Sequence, residues 1–237
     1  MEGDYTAKYY NLEKDHWWFA GRRKLILKLL EDVSRDSKVL DIGCSGGVLI
    51  QELANKGLKN LVGIDADQSA VLLARNRGLN VMLVDAIKTN FEDENFDMII
   101  AADVLEHIEN DNQALKEWDR ILKKGGKIII LVPAFMFLWR KHDEENQHKR
   151  RYSKKQLLKK LKGAGFQIKK LSYWNLSSLI PLLIKKLLNF NSKDDLNKTS
   201  NLINLVLVKV MQFENFLATS FNIPIGVSLF VVAEKTN

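Results

Sequence analysis

Hydrophobic and polar positions in the first part of the chain alternate between two periodicities. Short runs rich in Val, Ile and Leu recur between segments whose apolar residues follow helical spacing. The runs that predict strands are SKVLDIG, LVGIDA, LNVMLVDA, FDMIIAAD and KIIILVP. The segments between them include VLIQELANKG, QSAVLLARNRG and NDNQALKEWDRILKKGG, which predict helices that end at glycine. Strands alternating with helices predict βαβ units, and therefore a parallel sheet covered on both faces.

The pattern changes after Pro133. SKKQLLKKLKGAGF predicts an amphipathic helix, QIKKLSYW a strand, and residues 176–222 two helices with apolar faces. The chain then closes on a strand, with Ile223 to Ala233 as one long apolar run. We therefore expect four regions: an N-terminal aromatic lid and helix (1–36), a core (37–175), a helical cap (176–222) and the last core strand (223–237).

Composition adds limits on location and partners. The chain has 237 residues and a single cysteine, Cys44, so an intramolecular disulfide is excluded and a reducing compartment is favoured. The N-terminus has no secretory pattern, and no uninterrupted apolar run reaches the ~18–20 residues that span a bilayer, so we expect a cytoplasmic protein. The net charge of +7 favours anionic partners, and residues 141–170 are rich in Lys and Arg.

Acidic residues end successive predicted strands. Asp41 precedes a glycine-rich turn, where it would repel a pyrophosphate but suit a cationic group such as an ammonium. Asp65 follows Gly47 by 18 residues, close to the ~20 expected of an acid that accepts from a ribose diol. Asp85 ends the third strand and Asp103 the fourth. Because ligands of such sheets bind outside the carboxyl ends of the strands, these acids predict a ligand site.

The segments VLDIGCSGG, VGID, VDA, FDMIIAADVLEHI and LKKGGKIIILVP together resemble the class I methyltransferases that bind S-adenosylmethionine. The similarity is greatest to the group that contains the ubiquinone and menaquinone biosynthesis methyltransferases, and it is strong over residues 37–135. It implies an α/β fold: a Rossmann-like, doubly wound sheet of seven strands, mostly parallel with an antiparallel last strand, plus a helical cap insertion. It also implies S-adenosyl-L-methionine as the cofactor.

The resemblance further implies roles for individual residues. Asp41, Gly43 and Gly47 would line the methionine part of the cofactor, Asp65 would hold the ribose hydroxyls, and Asp85 the adenine amine. Ser45 stands where the family usually has a glycine. Arg22 resembles a cofactor-contacting arginine, and Arg23 fits nearly as well. The predicted cofactor-binding set is Arg22, Asp41, Gly43, Cys44, Ser45, Gly47, Asp65, Ala66, Asp85, Ala86 and Ala102.

Two histidines are the candidates for a catalytic base. His107 follows the fourth strand, and His148 precedes a basic loop beyond the fifth. Each has an alternative interpretation: His107 as a helix cap and His148 as an exposed loop residue. The aromatic residues Trp17, Trp18 and Phe19 would either cover the cofactor or dock the first helix. No Cys/His spacing predicts a zinc motif, so no metal site is expected from the sequence.

The acceptor is less determined. No Asn-Pro-Pro-Tyr or Asp-Pro-Pro-Tyr segment follows the fourth strand, which argues against nucleobase or glutamine N-methylation. We expect O- or C-methylation of a small-molecule or lipid-linked acceptor under the cap 176–222, with peripheral contact to an anionic membrane. The same helices could instead only pack on the sheet edge. The alternatives are an RNA or protein methyltransferase using the basic run 141–170, although nucleic acid is not favoured as a partner, and a non-catalytic binding subunit. The oligomeric state is left open.

Overall fold

Seven strands form one sheet, and helices cover both of its faces in a computed structural model that describes residues 12–188 and 199–236. Parts of the predicted lid, cap and last-strand regions (1–11, 189–198 and 237) lie outside the described residues. The strands are β1 (Lys38–Ile42), β2 (Asn60–Asp65), β3 (Val81–Leu83), β4 (Phe96–Ala102), β5 (Leu122–Pro133), β6 (Phe166–Trp174) and β7 (Ser228–Lys235). The helices are α1 (Trp17–Leu29), α2 (Val48–Asn55), α3 (Gln68–Asn76), α4 (Asp111–Ile121), α5 (Lys141–Glu145), α6 (Lys154–Gly163), α7 (Leu179–Leu187) and α8 (Asn201–Ser220).

The strand order is β3-β2-β1-β4-β5-β7-β6. Neighbours from β3 to β5 are parallel, whereas β7 runs antiparallel to both β5 and β6. The predicted fold class, including the antiparallel last strand, is confirmed. The strand order reverses between β1 and β4, and in open α/β sheets that point opens the ligand crevice at the carboxyl ends of the strands.

A separate apolar layer lies on each face of the sheet. On one face, α4 and α6 bury Trp118, Leu157 and Leu161 against the strands. On the other face, α1, α2 and α8 bury residues that include Leu25 and Met211. Each helix presents one apolar stripe to the sheet, as its sequence period predicts.

Several elements begin or end at other residues than the sequence predicts; β3, for example, ends at Leu83, two residues before Asp85. Helix α1 begins at Trp17, so the aromatic residues form its first turn and do not precede it. Helix α4 ends at Ile121, ahead of the two glycines, because the fully buried Leu122 already pairs with Phe96 as the first residue of β5. Strand β7 begins at Ser228 and not near 223, and Gly226, just ahead of it, lies too close to the Trp174 backbone to leave room for a Cβ.

Helix α8 packs on α1 with one side only. Met211, Asn215 and Ala218 are buried, while most other positions of the helix are exposed or half-buried. Among the helices of the described residues, α8 is long and apolar enough by length and composition to cross a membrane. The sequence-based expectation considered only uninterrupted apolar runs, and the polar residues within α8 interrupt its apolar run without lowering the mean hydropathy of the helix below this limit.

Candidate active site

The glycine-rich turn between β1 and α2 lies at the carboxyl edge of the sheet. Gly43 (φ +68°) and Gly47 (φ +78°) adopt left-handed backbone angles that suit residues without a Cβ. Ser45, at the position where the family usually has glycine, is also left-handed, with φ +51°. The Gly43 and Cys44 N–H groups both donate to the Ile64 carbonyl, at 2.8 and 3.1 Å. These bonds fix the turn beside the end of β2.

Asp65 ties this turn to the next strand. One carboxylate oxygen accepts from the Ser45 N–H at 2.8 Å and the other from the Asp67 N–H at 2.9 Å. Burial raises the pKa of Asp65, and these backbone hydrogen bonds oppose the shift. Each oxygen has a second lone pair, so the carboxylate can still accept from a ligand.

A further buried acid, Glu13, joins the site from outside the strand ends. Its Oε2 accepts from the Ser45 hydroxyl at 3.2 Å, and the residue is almost fully buried. Burial raises the pKa of Glu13, while Arg22 lowers it. Sequence reasoning missed this residue because it precedes the first helix and no strand end or motif marks it.

The buried acids of the turn suit a cationic ligand. Burial raises the pKa of Asp41 to about 8; Arg22 opposes this shift, and the neighbouring carboxylates Glu13 and Asp65 add to it. Removing charge from water is costly unless an opposite charge is close, so an ammonium or sulfonium beside Asp41 would offset that cost. These buried carboxylates therefore fit the amino and sulfonium groups of S-adenosylmethionine.

Arg22 links α1 to the end of β4. Its Nη1 lies 2.6 Å from Asp103 Oδ2, and its guanidinium lies 5.0 Å from the Trp18 ring centroid. Arg23 instead donates from Nε to Glu52 at 2.8 Å, on the α2 side. Arg23 also donates to the backbone carbonyls of Glu13 and Lys14, so Arg22 is the one of the two that binds an acid at a strand end.

The remaining residues of the predicted cofactor set differ in where they lie. The Cys44 thiol packs in an apolar cluster with Ile50 and Val71. Ala66 is exposed after β2, and Ala102 is half-buried at the end of β4. Asp85 is exposed beyond β3, where its Oδ1 accepts from the Ile87 N–H at 2.9 Å. The Ala86 carbonyl accepts from the Trp118 indole at 2.9 Å.

A cavity of about 410 Å³ opens beside Asp103, between the start of α1, the segment after β4 and the helices α7 and α8. Its apolar lining includes Pro181, Leu182, Leu207 and Met211. Its polar lining includes Glu106, Arg140, Asn146 and Arg151, together with the four histidines His16, His107, His142 and His148. The Val104 side chain, next to Asp103 in the chain, lies against Gly43, so the cavity adjoins the turn described above.

The two predicted catalytic histidines are brought together in this cavity. The rings of His107 and His148 lie edge to face, with centroids 4.7 Å apart. Burial, followed by the proximity of His148, lowers the pKa of His107 to about 4. His148 is not an exposed loop residue: its Nδ1 lies 2.9 Å from Asp143 Oδ1, and Asp143 is held by Arg151 at 2.8 Å.

Beside these rings lies Glu106, which is completely buried. Burial and the nearby Asp103 raise the pKa of Glu106 well above its ordinary value. Asp143 is also fully buried, and its hydrogen bonds to His148 and Arg151 overcome the effect of burial and lower its pKa. The burial of Asp143 is not evident from the sequence, because the basic run that surrounds it suggests an exposed surface.

Residues 40–130 match a family described as a methyltransferase domain. Among curated proteins, the chain is 33% identical over 113 residues to an uncharacterized protein of Methanocaldococcus jannaschii, covering 45% of this chain and 55% of that protein. It is 32% identical over 157 residues to a probable tRNA methyltransferase 9B of Mus musculus, covering 65% of this chain and 31% of that protein. It is 29% identical over 145 residues to a ubiquinone biosynthesis O-methyltransferase of Coxiella burnetii, covering 55% and 62%. The chain thus spans less than two thirds of each of these relatives.

Solved structures agree on the fold. An S-adenosylmethionine-dependent methyltransferase of Archaeoglobus fulgidus aligns with a TM-score of 0.65 and 19% identity, covering 96% of this chain and 99% of that one. A putative methyltransferase in complex with the Trm112 activator of Haloferax volcanii aligns with a TM-score of 0.68 and 16% identity, covering 98% and 95%.

Residues 40–130 are therefore similar to a methyltransferase domain, and the chain has the fold of a solved S-adenosylmethionine-dependent methyltransferase. The family resemblance drawn from the strand-end motifs is confirmed, and so is S-adenosylmethionine as the methyl donor of this class.

Proposed function

We propose that the whole chain is an S-adenosylmethionine-dependent methyltransferase that acts on an apolar, lipid-linked acceptor at a membrane surface on the cytoplasmic side. One observation carries this proposal. Helices α7 and α8 line the cavity with residues such as Leu182 and Leu207, and they expose apolar side chains on their outer faces. The same two helices thus line the cavity on one side and present an apolar surface to solvent on the other.

The cofactor would lie along the turn after β1. In this arrangement Asp41 faces the ammonium, Asp65 accepts from the ribose hydroxyls and Asp85 from the adenine amine. S-adenosylmethionine supplies an activated methyl group, and the chain supplies alignment, electrostatics and exclusion of water. Arg22 and Trp18 bring α1 over the edge of the sheet between this turn and the cavity.

The acceptor would enter the cavity from the side of α7 and α8. The reacting group then meets Glu106, His107 and His148 at the polar end, while the apolar part of the molecule contacts the two helices. Burial of that part contributes about 25 cal/mol per Å² of apolar surface removed from water. A polar end and an apolar wall in one cavity fit an amphipathic acceptor such as a phenol on a lipid chain.

The outer face of α8 supports contact with a membrane. Leu202, Leu205, Val206, Phe213 and Phe216 are each more than half exposed, and their spacing places them on one stripe of the helix. Lys209 falls on the same stripe, and Lys28 Nζ of α1 lies 5.8 Å from the Phe216 ring centroid. Apolar side chains with adjacent lysines suit an anionic bilayer, to which each lysine adds on the order of 1 kcal/mol.

Binding to vesicles tests this surface. We expect the protein to co-sediment with vesicles containing phosphatidylserine, and the bound fraction to fall as salt rises. Leu205→Glu should abolish co-sedimentation. Leu72→Glu is the matched control: Leu72 is 51% exposed and Leu205 is 55% exposed, but Leu72 lies on α3. Absence of binding by the wild type, or equal loss in both variants, contradicts the proposal, and a dimer that dissociates in Leu205→Glu identifies a second copy as the occupant.

The similarity to a probable tRNA methyltransferase supports one alternative, an RNA acceptor at residues 141–170. In this run, Lys154, Lys155 and Lys159 are exposed on α6, on the opposite face of the sheet from α8. Others are half-buried in ion pairs: Arg150 and Lys160 both bind Asp111, at 3.0 and 2.7 Å. Salt-dependent tRNA binding that is lost in Lys154→Ala/Lys155→Ala, with no vesicle binding, would favour RNA.

Cofactor binding separates both enzyme hypotheses from a non-catalytic subunit. S-adenosylhomocysteine should bind the purified protein in calorimetry. A protein that binds neither S-adenosylmethionine nor S-adenosylhomocysteine at millimolar concentration would be a binding subunit on this fold.

A further inference from the structure

All four histidines of the chain line the one cavity of about 410 Å³ beside Asp103. They come from distant parts of the sequence, at positions 16, 107, 142 and 148. Two of them have other contacts: the His16 side chain accepts from the Trp18 N–H at 3.4 Å, and the His142 ring lies 3.2 Å from Asn146 Nδ2. His107 and His148, whose rings meet in the cavity, are the two that could share a ligand.

Three side chains in this cavity have the geometry of a metal site. Glu106, His107 and His148 each offer a ligand atom, and these atoms all lie within 4.8 Å of one another. Two ligands of one Zn²⁺ ion lie at most about 4 Å apart, because each bond is about 2.0–2.2 Å long. A shift of the side chains by roughly 1 Å would therefore bring all three to bonding distance.

Glu106 supplies an independent observation. The residue is completely buried, and neither of its carboxylate oxygens has a hydrogen bond to another residue in the described part of the chain. The nearby arginines are engaged elsewhere, since Arg151 binds Asp143 and Arg22 binds Asp103. A buried carboxylate is costly without a cation or hydrogen-bond donors, and a metal ion at this position would offset the cost.

His148 has the support that metal-bound histidines commonly have. Its Nδ1 lies 2.9 Å from Asp143 Oδ1, and this pairing orients the ring and leaves Nε2 available as a ligand. Asp143 is itself fixed by Arg151, whose Nε and Nη2 donate to its two oxygens at 2.8 and 2.9 Å. Asp143, fixed in this way, holds the His148 ring in one orientation.

We propose that Glu106, His107 and His148 bind a divalent transition-metal ion of the Zn²⁺ type, with an open coordination position that faces the cavity. Two imidazoles and one carboxylate suit Zn²⁺, Co²⁺ or Mn²⁺. Three protein ligands and an open position are the arrangement of catalytic sites, in contrast to closed structural sites. The sequence does not reveal the site, because Glu106 and His107 are adjacent and the third ligand lies 41 residues away (148 − 107).

The ion deepens the proposed function, on which its chemical role rests. An acceptor hydroxyl at the open position would become more acidic and release its proton to solvent. The acceptor oxygen then forms a bond to the methyl carbon of the cofactor, the carbon–sulfur bond breaks, and its electron pair remains on sulfur as a neutral thioether. His107 and His148 thus become ligands and not the proton acceptors that the sequence suggests, and the acceptor class becomes an oxygen nucleophile.

Metal titration of the full-length protein after EDTA treatment and dialysis tests the site. We expect one equivalent of Co²⁺ to bind and to produce the visible absorption of a protein-bound ion, and Zn²⁺ to displace it. Glu106→Gln keeps the shape of the side chain and removes the charge, and we expect at least ~10-fold weaker binding. His142→Ala is the matched control, since His142 lines the same cavity but lies outside the cluster.

Several outcomes overturn the proposal. They are absence of binding in the wild type, equal binding by Glu106→Gln, and equal weakening in His142→Ala, which would indicate nonspecific binding by the cavity histidines. S-adenosylhomocysteine binding, measured on each variant, reports folding and the cofactor site separately. A protein that binds S-adenosylhomocysteine but no metal contradicts only this inference, whereas one that binds metal but no cofactor contradicts the proposed function.

Discussion

Arg22 Nη1 and Asp103 Oδ2 lie 2.6 Å apart and join helix α1 to the residue that directly follows β4. Both side chains are largely buried, at 10% and 18% exposure. Asp103 holds a left-handed backbone angle, with φ +58°, at the border between the glycine-rich turn and the cavity. The ion pair therefore couples the position of α1 to the edge where both ligands would meet.

We predict that this coupling makes the start of α1 a lid. Hydrogen exchange at residues 12–22 should slow when S-adenosylhomocysteine is added, because the aromatic first turn closes over the cofactor. Arg22→Ala should remove this protection and lower the free energy of unfolding by roughly 1–3 kcal/mol, since Asp103 loses a charged partner. Lys24→Ala, on the same helix, is the control. Protection confined to residues 41–47 would show that α1 is only docked.

Asp65→Ala should weaken S-adenosylmethionine binding by at least ~10-fold in calorimetry, because a charged hydrogen bond contributes roughly 1.5–3 kcal/mol. The substitution also leaves the Ser45 N–H without the hydrogen bond that it donates to Asp65 at 2.8 Å. Asp67→Ala serves as the control, since Asp67 caps the adjacent helix α3. Equal affinity in Asp65→Ala and the wild type would remove Asp65 from the cofactor site.

Cofactor binding near pH 7 should release a proton. With its pKa raised to about 8, mainly by burial, Asp41 is mostly protonated in the free protein at that pH. A bound ammonium favours the carboxylate and lowers the pKa, so the proton leaves on binding. Calorimetry in buffers of different ionisation enthalpy measures the release, which should disappear at high pH and in Asp41→Asn. Proton uptake at pH 7 would contradict the placement of a cation beside Asp41.

Gly43→Ala should impair both folding and cofactor binding. Gly43 has φ +68°, and a Cβ there would collide with the Val104 side chain. A left-handed angle alone costs a residue with a Cβ about 1–2 kcal/mol. Gly78→Ala is the control, because Gly78 has φ +76° but no atom lies within 4 Å of its Cβ position. Thermal unfolding compares the two variants, and equal losses would mean that the close approach to Val104 is unimportant.

Glu117 should contribute to stability against acid. Burial opposes its ionisation, but hydrogen bonds from Arg120 and Thr89 prevail and lower the pKa of Glu117 from 4.5 to about 2. Because the folded state holds the ionised form more strongly, this contribution is complete above about pH 4.5 and is lost as the pH falls toward 2. Glu117→Gln should lower the free energy of unfolding by roughly 1–3 kcal/mol at pH 7. Between about pH 4.5 and 2, the stability of this variant should depend less on pH than that of the wild type. Parallel denaturation curves at several pH values check this.

Much of the fold follows from the sequence because its signals are local. The apolar runs that predict β1, β2 and β4 match the strands closely, since hydrophobic period and flanking glycines act over a few residues. The glycine-rich turn and the acids at strand ends likewise predict one edge of the sheet as the ligand site, because parallel strands place their carboxyl ends together. The sequence does not predict the start of β5 at Leu122, which depends on pairing with Phe96 across the sheet.

Contacts between distant parts of the chain were decided by tertiary structure alone. Glu13 reaches Ser45 from the chain's start, Arg22 pairs with Asp103 over 81 residues, and His148 meets His107 between loops of different strands. No local pattern encodes such contacts, because burial and charge pairing depend on how the elements pack. The sequence by itself determined the class of fold and predicted the edge of the sheet at which the cofactor would bind. Only the packing of α1, α7 and α8 decided that a histidine-lined cavity lies beside that edge and that apolar side chains remain exposed next to it.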